Sequence, residues 1–247
     1  MTDVDFADFT EDGYREVLAE AASRYRFERF GTEIDEPHVL WRHDVDLSMH
    51  RAARLAELEA DAGVGATYFL LFHSTFYNLL ERRLIELARS IVRRGHAIGL
   101  HFDSSFYGAI DDVDSLAERL ADEASLLSGL VDAPVRAFSF HNPGIVNDDL
   151  SFDDDVIAGL VNTYGRTVRS RYAYVSDANG YWRFQRLRDV LVSGEHTRIH
   201  VLTHPEWWQA EPIAPRQRVA RCVEGRADET LRDYDELLAR ADRRNIR

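Results

Sequence analysis

Asp44 and Asp46 stand two residues apart where an apolar run turns abruptly charged, in the stretch HVLWRHDVD that also carries Arg42 and His43. Residues at that spacing on a strand project to the same side, so both carboxylates face one space. Two carboxylates there repel each other unless a cation or a proton intervenes. An aspartate capping a following helix over Ser48 to Ala62 explains Asp46 alone and leaves Asp44 unaccounted for. Three further stretches bring imidazoles to similar positions. In GHAIGLHFDSS, His101 and Asp103 share a side, whereas His96 has the opposite parity and reads as a buried, hydrogen-bonded histidine. FSFHNPG places His141 just before a turn signalled by Asn142, Pro143 and Gly144. RIHVLTHPEWW puts His200, Leu202 and His204 on one side. Imidazole and carboxylate gathered at strand ends form a typical zinc or iron site. Trp207 and Trp208 follow directly, one suited to packing between loop and helix and the other to walling a sugar ring.

The elements that must position these groups alternate. Strands are predicted over His38 to Asp46, Ala66 to Phe72, Ala97 to Asp103, Val135 to His141 and Ile199 to His204, with weaker ones near Thr167 and over Tyr172 to Val175. A helix over residues 10–24 is capped by Thr10. Another sets Leu80, Leu84, Leu87, Ala88 and Ile91 on one face and stops at Gly95, and a third opens with the capping-box pair Ser115 and Glu118. This order gives parallel strands with helical crossovers, as a barrel or a doubly wound sheet, with the site beyond the carboxyl ends of the strands. From Pro215 onward the chain is charged and helical, with Val219, Val223, Leu231, Tyr234, Leu237 and Leu238 available to pack against the body. No linker or repeat divides the 247 residues, so one domain is expected, with a helical extension from about residue 213.

Composition excludes several chemistries. The net charge is -13, and no basic face offers itself to phosphate, so neither nucleic acid nor an anionic membrane is an expected partner. All 30 basic residues are arginine, which removes Schiff-base, Ser-Lys and P-loop mechanisms. The single Cys222 has no partner for a disulfide or a thiolate site and reads as structural. The acidic start MTDVDFADFTEDGY lacks the pattern of a leader and no stretch is apolar enough to span a membrane, so a cytosolic protein is expected.

In their order along the chain these motifs resemble the polysaccharide deacetylase superfamily, the NodB-homology domains of carbohydrate esterase family 4, over roughly residues 10 to 210. The resemblance implies a distorted, TIM-barrel-like (β/α) barrel of seven strands. It also implies a divalent metal, most suitably zinc, and hydrolysis of an acetamido group. By that resemblance Asp44 is the base, Asp46 and His101 are metal ligands, and His204, in Leu202-Thr203-His204, is the catalytic acid. His141-Asn142-Pro143-Gly144 resembles the family's R-x-P segment, and VSDANGYW, with Asp177 and Trp182, its aspartate and tryptophan segment. Two departures stand out. Ser105 occupies the place of a second metal histidine, and His141 replaces the usual arginine; His141 or Asp103 then supplies the missing ligand.

The expected function is removal of an acetyl group from an N-acetylated sugar in polysaccharide or glycolipid synthesis, on a cytosolic precursor. Asn142, Pro143, Asp177, Trp207 and Trp208 are the substrate-side candidates, and a backbone N–H near Gly144 is a candidate for the oxyanion. Asp177 is also a candidate to orient His204. Two rivals share the barrel: a hydrolase of a small cyclic amide or ureide, and a catalytically silent carbohydrate-binding protein.

Overall fold

The computed structural model describes residues 6–144, 148–182 and 184–246; the first five residues of the stretch read for a leader lie outside them. Helix α1 (Glu11–Arg24) opens at Thr10, whose hydroxyl accepts the Gly13 N–H at 3.0 Å, and buries Tyr14, Val17, Leu18 and Ala21. Then come β1 (Arg26–Glu28), β2 (His38–Val45), α2 (Met49–Asp61), β3 (Thr67–Leu71), α3 (Arg82–Arg93), β4 (Ala97–Phe102), α4 (Val113–Val131) and β5 (Ala137–Phe140). The chain continues through β6 (Val156–Ile157), β7 (Leu160–Asn162), α5 (Arg166–Arg171), β8 (Ala173–Ser176), α6 (Leu187–Ser193), β9 (Arg198–Thr203) and α7 (Pro215–Arg240). No helix among the described residues is long and apolar enough to cross a membrane.

The strands form one sheet in the order β6-β7-β5-β4-β3-β2-β9-β8, with β1 laid beside the start of β2. Every pairing is parallel except that of β6 with β7. The sheet is curled. Arg42 on β2 donates to Thr163 Oγ1 at 3.0 Å and to the Tyr164 hydroxyl at 3.2 Å, both just past β7. In a flat sheet four strand spacings, about 19 Å, would separate those chains, beyond the reach of any side chain. Among the described residues no ladder joins β8 back to β7, so the expected (β/α) barrel is realised in distorted, open form.

All eight residues of β2 are buried, as for a strand covered on both faces. Leu40 faces inward and packs with Phe30, Phe69 and Ala137 into a small core inside the curl. Val39, Trp41 and Val45 face outward into the larger core beneath the helices. Gly99 allows the inner core to close, because a Cβ there would lie 2.4 Å from the Phe69 ring. The outer face also holds a buried polar cluster centred on Glu59 of α2. Its carboxylate meets His43 Nε2 at 2.5 Å, accepts the Tyr68 hydroxyl at 2.7 Å and accepts the Tyr14 hydroxyl as well. Burial alone would raise the Glu59 carboxyl, but His43, His96 and the Tyr14 hydroxyl outweigh it and hold the group below its ordinary range.

Four sequence expectations are corrected. The segment at Thr167 is helical, because the Asp155 carboxylate accepts both the Thr167 N–H and its hydroxyl at 2.6 Å, a cap from a distant residue that periodicity does not reveal; the strand here is β7. Helix α4 is capped by Asp112, which accepts the Ser115 N–H at 2.8 Å, rather than by Ser115. Leu80 precedes α3 and is 56% exposed. On α7, Val219 packs on the core, but Val223, Leu231, Tyr234 and Leu237 are exposed. Further along, the helix is held to the body by ion pairs, Arg226 with Glu81 and Arg83 with Asp233, instead of by apolar burial.

Replacing Gly99 by alanine forces the Phe69 ring out of its position and is expected to cost about 1–3 kcal/mol. Chemical denaturation measures this, and a Gly99→Ala/Phe69→Leu double variant regains part of the loss.

Candidate metal centre

Asp44 and Asp46 do face one space, and the competing cap reading fails. Ser48 caps α2, its hydroxyl accepting the Arg51 N–H, which leaves Asp46 free. The ends of β2, β4 and β5 converge there. His101 Nε2 lies 3.2 Å from Asp46 Oδ1, and His141 Nδ1 lies 3.2 Å from His101 Nε2 and 3.5 Å from Asp46 Oδ1. One ligand atom from each of the three falls within 4.8 Å of the others.

The second contacts of these groups set their lone pairs. The Ser139 hydroxyl donates to Asp44 Oδ1 at 3.4 Å, so it accepts the Nδ1–H of His101 at 2.7 Å, and the Nε2 lone pair of His101 is left facing the cluster. The Asn142 amide lies 2.8 Å from His141 Nε2. The atom there is the amide Nδ2; turning the amide over about Cβ–Cγ brings its oxygen to that nitrogen, where it accepts the Nε2–H and leaves Nδ1 free. Asn142 takes a left-handed backbone, φ 47°, which places the amide there. Asp46 Oδ1 is buried yet makes no hydrogen bond. A buried carboxylate oxygen orphaned among two imidazole nitrogens suits a divalent cation. Burial would raise the Asp46 carboxyl, but His101, His141 and His204 hold it well below its ordinary range. Burial would lower His141, but Asp46, Asp103 and Asp44 outweigh it and raise the imidazole.

Asp103 and Ser105 are not brought to the cluster. The Asp103 carboxylate caps the short turn Ser104–Tyr107, accepting the Ser105 N–H at 3.0 Å and its hydroxyl at 2.5 Å. His96 is buried between the Ala66 N–H and the Ala56 carbonyl, as its parity implies.

On the far side, His204 Nε2 lies 3.8 Å from Asp46 Oδ2. Its Nδ1–H donates to Asp177 Oδ1 at 2.6 Å, and its backbone N–H to Asp177 Oδ2 at 3.0 Å. Burial acts to lower the imidazole, but Asp177, Asp46 and Glu206 push it up to about 10. Asp177 is completely buried, so it positions His204 and has no surface for a substrate. Trp208 is likewise fully buried, packed on Phe9, Tyr14 and Trp182, which excludes it as a wall for a sugar. Trp207 is 8% exposed, its ring centroid 6.5 Å from that of His204. Asn142 is exposed and Pro143 half-buried beside the cluster. The Gly144 N–H is directed to the Asp149 carboxylate, and residues 145–147 beside it, where the other oxyanion N–H candidates fall, lie outside the described residues.

Sequence reasoning missed Arg42 and Ser139. Arg42 is completely buried and grips Asp44 with two bonds, Nε to Oδ1 and Nη2 to Oδ2, each 2.7 Å. Burial would raise the Asp44 carboxyl, yet Arg42, His101 and His204 hold it below its ordinary range. The signal was present, since Arg42 has the parity of Asp44 on the same strand. Glu206 was also missed. Both its carboxylate oxygens are buried without a hydrogen bond, and burial together with Asp46 raises it well above its ordinary range.

No protein-family model matches the chain, and no curated protein matches it. Solved structures do resemble it. A family 4 acetyl xylan esterase from Clostridium thermocellum, in complex with a cobalt ion, is 18% identical with a TM-score of 0.47, over 83% of this chain and 92% of that one. The catalytic domain of a peptidoglycan N-acetylglucosamine deacetylase from Eubacterium rectale is 15% identical with a TM-score of 0.45, over 81% and 89% of the two chains. A mutant of a CE4-family pseudoenzyme with restored enzymatic activity, whose wild type is from Bacillus anthracis, is 17% identical with a TM-score of 0.47. The alignment covers 80% of this chain and 65% of that mutant, so this chain spans just under two thirds of its length.

Zinc titration by calorimetry checks the ligand set. Asp46→Ala and His101→Ala are expected to abolish tight binding, and Ser139→Ala to weaken it about 10–100-fold by releasing the His101 tautomer.

Proposed function

We propose that this protein is a metal-dependent hydrolase that removes an acetyl group from an N-acetylated sugar. The observation that carries this reading is the placement of two groups around the same cluster of Asp46, His101 and His141: the Asp44 carboxylate, gripped by Arg42, and the His204 imidazole, gripped by Asp177. Amide hydrolysis needs that pairing: one group takes a proton from water, and another gives one to the departing amine.

Asp46, His101 and His141 would hold the cation. Its chemistry there is Lewis acidity, which lowers the pKa of water towards ~7 and polarises a carbonyl oxygen. Asp44 suits a site of this kind. Arg42 occupies one lone pair on each oxygen and keeps the group ionised and fixed, and Ser139 takes the second on Oδ1, so the second lone pair of Oδ2 remains for a proton. A carboxylate so stabilised is a weak base and needs an acidified donor. His204 stands at the other side of Asp46 with its Nδ1 committed to Asp177, so its Nε2–H is the one available to a leaving nitrogen.

The test is acetate release from acetamido sugars by zinc-loaded protein. Wild type is expected to release acetate and to lose that activity on chelation; Asp44→Asn is expected to lower kcat about 100-fold or more while zinc binding persists. Acetate release that is indifferent to chelation, or intact in Asp44→Asn, overturns the reading.

The acid role gives a signed pH effect. His204 must be protonated to act, and Asp177 raises its pKa, so Asp177→Asn lowers that pKa. The alkaline limb of the pH–rate profile is expected to move to lower pH in this variant, and a profile that stays in place removes His204 from the acid role.

A further inference from the structure

Helix α7 presents an apolar stripe that the rest of the chain does not cover. It is the longest helix among the described residues, 26 residues or about 39 Å, yet Arg218 is the one residue in it that is buried. Val223, Ala227, Leu231, Tyr234 and Leu238 follow one another at intervals of four, four, three and four, the spacing of one helix face. Val223 is 50% exposed, Leu231 64%, Tyr234 55% and the adjoining Leu237 63%. The body lies on the side where Arg226 pairs with Glu81 and where Glu229 and Asp233 both pair with Arg83. A single exposed apolar residue needs no explanation, but a run of them along one helix is a patch that marks an interaction surface.

The charges on the helix indicate what covers it. Six arginines and six acids stand in α7, so it adds nothing to the net charge of -13, and two copies can meet there without opposing one net charge to another of the same sign. The signs are also separated along the helix. Residues 215–227 carry four arginines and one glutamate, whereas residues 228–240 carry five acids and two arginines. Partners on the rest of the chain, Glu81 and Glu211 for the first half and Arg83 for the second, reduce this separation without reversing it. For a helix on its own the order is adverse, because the N-terminal end carries the positive end of the dipole, and the first turn of α7 has no acidic residue. Laid antiparallel against a second copy, each basic half meets an acidic one; laid parallel, like meets like.

We propose that α7 is a self-association surface, on which a second copy of this chain packs antiparallel with the two helices crossing near Leu231, the middle of the stripe. Each stripe then covers the other, and a helix tied to the body by ion pairs gains apolar burial. The inference is independent of the hydrolase reading. One pair of helices lies at the small end of specific interfaces, so the dimer is expected to be weak, with a dissociation constant on the order of 10 µM.

Sedimentation equilibrium from about 1 to 300 µM protein brackets that value and reads the mass directly. Wild type is expected to be dimeric at the high end and monomeric at the low end. Leu231→Glu is expected to stay monomeric throughout, with a melting temperature near that of wild type because the side chain is exposed. Oxidation in a Cys222→Ser background reads the orientation. Leu231→Cys is expected to give a disulfide-linked dimer and Val223→Cys none, because antiparallel helices crossing at Leu231 hold their two Val223 positions about 24 Å apart, beyond the reach of a disulfide. Wild type that is monomeric at every concentration, or a dimer that survives Leu231→Glu, overturns the surface. Cross-linking through Val223→Cys overturns the antiparallel arrangement, whatever Leu231→Cys does.

Discussion

Arg42 and Asp44 form an almost fully buried ion pair, and its consequences run through the whole inner face of the sheet. Taking both charges out of water costs several kcal/mol each before pairing. That cost is offset because four of the five N–H donors of the guanidinium find a partner, two in Asp44 and one each in Thr163 and Tyr164, with the Tyr164 ring 4.9 Å from the guanidinium carbon. Two of those partners lie beyond the far strand β7. The same residue that fixes the carboxylate thus also sets how tightly the sheet must curl.

From this pair the interior reads as layers. Below it lie apolar side chains around Phe69, made possible by the absent side chain of Gly99. Above it, Ser139 relays the ionised state of Asp44 to the tautomer of His101, and His101 meets Asp46 and His141 at the mouth. Each polar group is therefore oriented by the one beneath it. His204 is the exception, since it is oriented from the side by Asp177, at the end of the neighbouring strand β8.

Much of this was legible in the sequence because strand parity is a strong local rule. Asp44 and Asp46 on one side, His101 at a strand end and His96 on the other face follow from a period of two and need no tertiary knowledge. What parity does not carry is which distant group completes a contact. Asp155 capping the helix at Thr167, Asp103 turning back to cap its own loop, and Trp208 sinking into the core beside Tyr14 each depend on partners far away in the chain or on competition among neighbours. Arg42 was overlooked for a related reason. An arginine inside a barrel is unexpected until the curl supplies acceptors on the opposite wall.

Strand β2 carries two unrelated polar systems back to back: Arg42 and Asp44 inward, His43 and the Glu59 cluster outward. Most buried strands have one face that can absorb a slip of alignment with its neighbours at moderate cost. Here a shift by a single position would thrust Trp41 and His43 into the curl and drive the Arg42 guanidinium and the Asp44 carboxylate among the helices, stranding both sets of charges at once. Pairing with β3 and β9 is therefore determined twice over, and a deletion or insertion of one residue in this strand is a change the molecule has no means to accommodate.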